Sequence, residues 1–174
     1  MMNKNEIQSW IEKLELIPHP EGGFYKGTYK SSEEVTDKEL SVNFDGNRKL
    51  YTSIYFLLRS NDVSHFHRLK SDELWYFHAG SPLTIHIIHE NGVYEEVKLG
   101  LNIEKGEVPQ FLVTKNSIFG SSVMEKDTGS LVGCMVSPGF DFQDFELFTQ
   151  AELLSKYPQH EKIIRKLAYE CIPE

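Results

Sequence analysis

Cysteine, positive charge and long apolar runs are all scarce in this chain, and each scarcity removes a class of protein. Only Cys134 and Cys171 are present among 174 residues. They lack metal-ligand spacing and are too few for a disulfide framework, so both are expected to be buried or semi-buried thiols in a reducing compartment. Lys and Arg number 18 against 26 Asp and Glu, a net charge of −8. That balance disfavours nucleic acid and anionic membrane as partners, which need clustered positive charge. An anionic ligand stays open, because one local Arg or Lys would hold it. No apolar run approaches the ~20 residues of a membrane span. The first six residues carry no apolar stretch after Lys4, so no signal peptide is expected and the expected location is the cytoplasm. Length and a hydrophobic content of 40% fit one domain over 1–174 with a substantial core.

Hydrophobic spacing divides that domain into helical ends and a β centre. Ile7, Trp10, Ile11 and Leu14 recur at helical spacing and predict an amphipathic helix within 1–20, stopping near Ile17 where Pro18 and Pro20 intervene. His19-Pro20-Glu21-Gly22-Gly23 then reads as a turn. Short strands are predicted across 24–148: 24–29, 50–58, 65–68, 73–77, 83–89, 93–99, 111–113, 117–124 and 130–136. Asn91-Gly92 is the strongest hairpin signal among them. Segment 31–49 is polar and reads as a loop. Thr149-Gln150-Ala151-Glu152 is a capping box opening the C-terminal helices of 149–174, and Ile163, Ile164, Leu167, Ala168 and Cys171 form a second helical stripe.

The chemistry concentrates at His65-Phe66-His67, followed by Glu73 and Gly80. Side chains alternate along a strand, so His65 and His67 are expected on one face. Two imidazoles and a carboxylate suit a divalent metal, or proton transfer on a bound small molecule. A neighbouring Glu73 would raise the His67 pKa toward neutrality. Trp75 and Phe77 share the face of Glu73 and are expected on the lumen wall. Tyr76 and His78 fall on the opposite face, which makes Tyr76 a poor catalytic acid; Tyr55 is no better supported. Arg68 reads equally as a surface ion pair or a ligand contact. Glu21 either closes one end of a cavity or is a satisfied turn carboxylate. His86 and His89 are expected on the solvent side, and Phe140, Phe142 and Phe145 as packing for the last strand or for a partner subunit.

The spacing of His65, His67, Glu73 and Gly80 resembles the first motif of the cupin superfamily. Further segments appear in order: His19-Pro20-Glu21-Gly22-Gly23-Phe24, Ser71-Asp72-Glu73-Leu74-Trp75, Gly80-Ser81-Pro82-Leu83 and Pro138-Gly139-Phe140-Asp141-Phe142. Together they resemble one small group of cupins, known chiefly as predicted sugar epimerases. The resemblance implies an all-β core, a double-stranded β-helix or jelly-roll barrel, with an N-terminal helix and C-terminal helices. It also implies a small-molecule ligand, with His67 and Glu73 as catalytic residues and Arg68, Trp75, Phe77 and Glu21 as substrate contacts. A divalent metal (Zn, Ni, Fe or Mn) on His65, His67 and Glu73 is conditional, because Phe119 stands where general cupins place a further histidine ligand. A homodimer is the expected assembly.

Three readings follow. The favoured one is a cupin isomerase acting on a sugar or nucleotide sugar. The alternatives are a non-catalytic small-molecule-binding cupin and a metal-dependent cupin with an incomplete ligand set.

Overall fold

Asn3 opens the first helix by accepting hydrogen bonds from the N–H groups of Asn5 and Glu6 while the Glu6 carboxylate reaches back to the Asn3 N–H. In the computed structural model, which describes residues 3–40 and 44–173, helix α1 spans Lys4–Lys13. It ends earlier than the sequence pattern predicts. Glu15 takes a positive φ of 54° and Leu16 N–H bonds back to Ile11 O, so the chain reverses and Ile17–Pro18 becomes a short strand, β1. The rest of the expected range 1–20 is this turn and strand; residues 1 and 2 lie outside the described ones.

The strands that follow are β2 Phe24–Lys30, β3 Glu34–Val35, β4 Arg48–Lys49, β5 Thr52–Arg59, β6 Val63–Leu69, β7 Asp72–Gly80 and β8 Leu83–Ile88. They continue as β9 Tyr94–Leu99, β10 Gln110–Val113, β11 Ile118–Val123, β12 Gly129–Ser137 and β13 Phe145–Leu147. A six-stranded sheet runs β1-β2-β5-β12-β7-β10 and a five-stranded sheet β13-β6-β11-β8-β9. Their ladders are antiparallel, and the β8–β9 hairpin turns at Asn91-Gly92 as expected. Phe56 and Trp75 from one sheet meet Leu83, Ile85 and Phe119 from the other in one core. This is the predicted jelly-roll barrel. The polar segment 31–49 is not all loop, because β3 and β4 pair within it; its residues 41–43 lie outside the described ones.

Helices cover the barrel's outer faces. Ile7 of α1 packs on Leu57 and Leu131. At the other end Thr149 caps α2, Gln150–Lys156, with Glu152 completing the box. Helix α3, Glu161–Leu167, buries Ile164 and Leu167 against Phe66, Ile88 and Ile118. Ala168 and Cys171 lie past its end. Cys134 is buried as expected, but Cys171 is exposed, because the helical stripe stops at Leu167.

One irregularity decides the site. Between β6 and β11, Phe119 pairs with His67 but Ser121 pairs with Ser64. Two steps on β11 therefore match three on β6, a bulge that places His65 and Phe66 opposite Gly120. An added Cβ at Gly120 would sit 2.5 Å from Ser64 O, so only glycine permits this approach. Gly120→Ala is expected to cost roughly 1–3 kcal/mol through overpacking at the bulge, read as a lower urea midpoint.

Candidate active site in the barrel

The bulge breaks the strand alternation on which a His65–His67 pair depends. His67 turns into the barrel and is 2% exposed. His65 turns out and stacks on Tyr169 with ring centroids 3.5 Å apart. His65 works as a brace: its backbone N–H and its Nδ1–H both donate to Glu21 O, each at 2.7 Å.

That carbonyl belongs to the tight turn predicted at residues 19–23. Gly22 has φ 109°, and a Cβ there would lie 2.1 Å from Val63 O, so the turn hugs β6 closely. Tyr169 donates its O–H to Pro20 O at 2.9 Å from the far side. Held at both ends, the turn drives the Glu21 side chain inward. There Ser64 donates to its Oε1 at 2.8 Å, and His67 Nε2 lies 3.2 Å from its Oε2. Of the two readings for Glu21, the structure has the carboxyl facing a cavity. The partner of His67 is thus Glu21 and not Glu73.

His19, Glu21, His67 and Glu73 line one narrow cavity of about 50 Å³, walled by Trp75, Phe140 and Phe145 among other apolar groups. That is room for a few water molecules. The proton positions follow from the hydrogen bonds. His67 Nδ1–H donates to His65 O at 2.7 Å, which leaves Nε2 as the lone pair facing Glu21. A lone pair and a carboxylate oxygen at 3.2 Å hold together by sharing one proton. Burial decides where it rests: it lowers the His67 imidazole to about 4 and raises the Glu21 carboxyl. The shared proton therefore favours Glu21 over His67. This corrects the expectation that a carboxylate would raise His67, because desolvation outweighs the one raising influence, the hydrogen bond to His65 O.

Glu73 is raised as well, to about 8, by burial first and by the nearby Glu21 second. Its Oε2 has no hydrogen-bond partner, and neither has Trp75 Nε1. His19, the fourth polar member, accepts from Glu21 N–H on Nδ1 at 3.2 Å and is lowered by burial. At pH 7 the cavity thus presents neutral imidazoles beside an un-ionised Glu73. His19 is a residue that sequence reasoning missed. Its signal was its place in the same motif as Glu21.

The other expected contacts divide. Trp75 lines the cavity. Phe77 does not, for it lies one residue pair further along β7, where it packs against the core. Arg68 points outward to Glu146 Oε2 at 2.6 Å and over the Phe148 ring; alternation from inward His67 dictates this. Tyr76 and Tyr55 are not among the lining residues. The metal set His65, His67 and Glu73 does not assemble, since His65 has left the face. Phe119 packs on His67 with centroids 4.2 Å apart, and among the described residues no three His, Cys, Asp or Glu converge as metal ligands. The side chains present do not fit a Zn, Ni, Fe or Mn ion. His89 is on the solvent side with Glu95 as expected, whereas His86 is 4% exposed because α3 covers its strand.

A jelly-roll barrel with a polar cluster inside one end defines a cupin. The chain belongs to the cupin superfamily, in the family described as DUF985, whose model matches residues 8–148. Its relatives include the uncharacterized protein YML079W of Saccharomyces cerevisiae, 28% identical over 150 residues, covering 80% of this chain and 74% of that protein. Among solved structures, a hypothetical protein from Leishmania major is 44% identical, with TM-score 0.87 and coverage of 94% of this chain and 98% of its own. Protein SO0799 from Shewanella oneidensis is 50% identical, with TM-score 0.84 and full coverage of both chains. Oxalate decarboxylase from Bacillus subtilis, 15% identical with TM-score 0.53 over 90% of this chain and 40% of its own, shares the fold alone. No helix among the described residues is long and apolar enough to cross a membrane.

Proposed function

We propose that this cupin binds a small uncharged carbonyl compound in its barrel and moves a proton on it, as an isomerase or epimerase does. The observation that carries the reading is a neutral His67 and an un-ionised Glu73 in one apolar cavity. Isomerisation beside a carbonyl needs an acid at oxygen and a base at the adjacent carbon. Glu73 is the acid: its carboxyl holds a proton at neutral pH and its Oε2 is uncommitted. The Glu21–His67 pair is the base. When a Glu21 oxygen takes the carbon-bound proton as the proton it shares passes to His67 Nε2, the pair gains one positive charge, and the ionised Glu73 offsets it. The neutral enediol becomes the isomer when the Glu73 carboxylate takes the proton of the adjacent hydroxyl and the pair returns its proton to the former carbonyl carbon.

The lining also argues for the substrate class. It contains no Lys or Arg. Arg48, Arg59 and Arg68 are engaged by Asp144, Asp62 and Glu146. A sugar diphosphate would find no countercharge there, so a free aldose or ketose, or a smaller hydroxy-carbonyl, suits the site better than a nucleotide sugar.

The test is deuterium exchange at the carbon next to the carbonyl of small sugars in D2O, followed by NMR. Exchange should fall by about 10²-fold or more in His67→Gln. If none of the carbonyl compounds exchanges while saturable binding persists, the non-catalytic binding module is the correct reading. The cavity is well below the roughly 300–1,000 Å³ usual for ligand sites, so either reading requires the Phe140 and Phe145 wall to part on binding.

A further inference from the structure

On the outer face of the five-stranded sheet, beside α3, lies a cleft of about 400 Å³. Its floor is a polar chain, buried at His86 and Ser122 and exposed at its Glu96 and Lys166 ends, in which each proton has a direction. Tyr94 donates its O–H to Glu96 Oε1 at 2.6 Å, so the Tyr94 oxygen accepts from His86 Nδ1–H at 2.7 Å. That tautomer leaves His86 Nε2 as a lone pair, which accepts the Ser122 hydroxyl at 3.0 Å. The Ser122 oxygen accepts in turn from Lys166 Nζ at 3.1 Å. Burial, helped by Lys166, lowers His86 to about 4, which keeps this pattern in its neutral form. A partly satisfied polar network is costly in such a place; this one is complete from Glu96 to Lys166.

The chain of bonds ends in an ammonium held at the cleft wall. Lys166 commits one of its three donors to Ser122 and keeps two. Lys162, one helical turn earlier, lines the same cleft and has no ion-pair partner among the described residues. Gln159 adds an amide, and Tyr94 and Ile163 add apolar surface. The one lining carboxylate, Glu96, already takes the Tyr94 hydroxyl. In a protein of net charge −8, this is a local cationic pocket with one cation fixed in advance, which reduces the ordering cost of binding.

We propose that the cleft is a second ligand site, separate from the barrel, for a small organic anion whose carboxylate or phosphate group is held by Lys166 and Lys162. The test is ¹H–¹⁵N NMR titration of the full chain with inorganic phosphate and, in parallel, acetate. Saturable one-site shifts confined to residues around 92–96 and 159–166 are expected with at least one probe. Tighter phosphate points to a phosphoryl ligand and tighter acetate to a carboxylate. Lys166→Gln should weaken binding at least tenfold and Lys162→Gln several-fold. Ser122→Ala, which frees Lys166 without removing it, should weaken it a few-fold. His67→Gln should leave it unchanged, which separates this site from the barrel. Shifts that rise linearly with both probes, or saturation that survives both lysine substitutions, would overturn the proposal.

Discussion

Glu73→Gln should make this protein more stable above pH 7 while removing its proton-transfer chemistry. The Glu73 carboxyl titrates at about 8 in the folded chain against 4.5 for an ordinary glutamate. Between those values the folded chain holds a proton that the unfolded chain has released. The Glu73 contribution to stability is therefore full below 4.5, falls as pH rises through the window, and is lost past 8. Gln has the same shape and no titration. The variant should gain on the order of 4 kcal/mol over the parent by pH 8 to 9 and almost nothing at pH 4. Glu21, also raised, adds to the parent's fall. His67 acts with the opposite sign: lowered from 6.5 to about 4, it adds stability as pH climbs between those values. The parent should accordingly weaken most from about 6.5 to 8. Urea melts of parent and variant at pH 4.5, 6.5 and 8.5 check this. A variant that is equally or less stable at pH 8.5 would mean that Glu73 is ionised and satisfied in the fold.

Arg48→Met should be among the most damaging single changes. Arg48 is 4% exposed and grips Asp144 with two bonds, Nε to Oδ2 at 2.7 Å and Nη2 to Oδ1 at 3.0 Å. Its Nη1 also donates to the carbonyls of Asp45, Gly46 and Asn47. This knot ties the segment before β4 to the turn that carries Phe142 and Phe145, and Phe145 walls the cavity. Removing one partner of a buried pair leaves the other charge uncompensated, at a cost of about 3–5 kcal/mol. Lys70, 3.6 Å from Asp144, relieves part of that. A melting temperature lower by roughly 6–15 °C is the expected reading. The double change Arg48→Met with Asp144→Asn should recover part of the loss, because no buried charge is then left alone. If the single variant melts within a degree or two of the parent, the pair does not anchor the wall.

The barrel was legible in the sequence because its signals are local and repeated. Asn91-Gly92 marked its hairpin, and the β-branched and aromatic runs marked β5, β8 and β12. Thr149 with Glu152 marked α2, since a capping box needs only four residues. The site was half legible. His67, Glu73 and Trp75 were placed together by alternation, which held along β7. It failed on β6, where the bulge against Gly120 rotates His65 away; register against a distant strand leaves no mark in the residues nearby. His19 and Glu21 reach the cavity through a turn braced by His65 and Tyr169, from β6 and the C-terminal segment. Such long-range support is invisible to spacing rules, and so was the sign of the His67 shift, which depends on how dry the cavity is. Arg68 faces outward for the same reason that His67 faces inward.

The barrel keeps a carboxylic acid un-ionised beside a neutral imidazole. The most direct measurement is the pH dependence of the Glu73 side-chain carboxyl ¹³C shift, assigned by comparison with Glu73→Gln. Glu73 should be protonated at pH 7, with a midpoint near 8. A midpoint near the ordinary 4.5 would contradict it, and with it the acid on which the proposed chemistry depends.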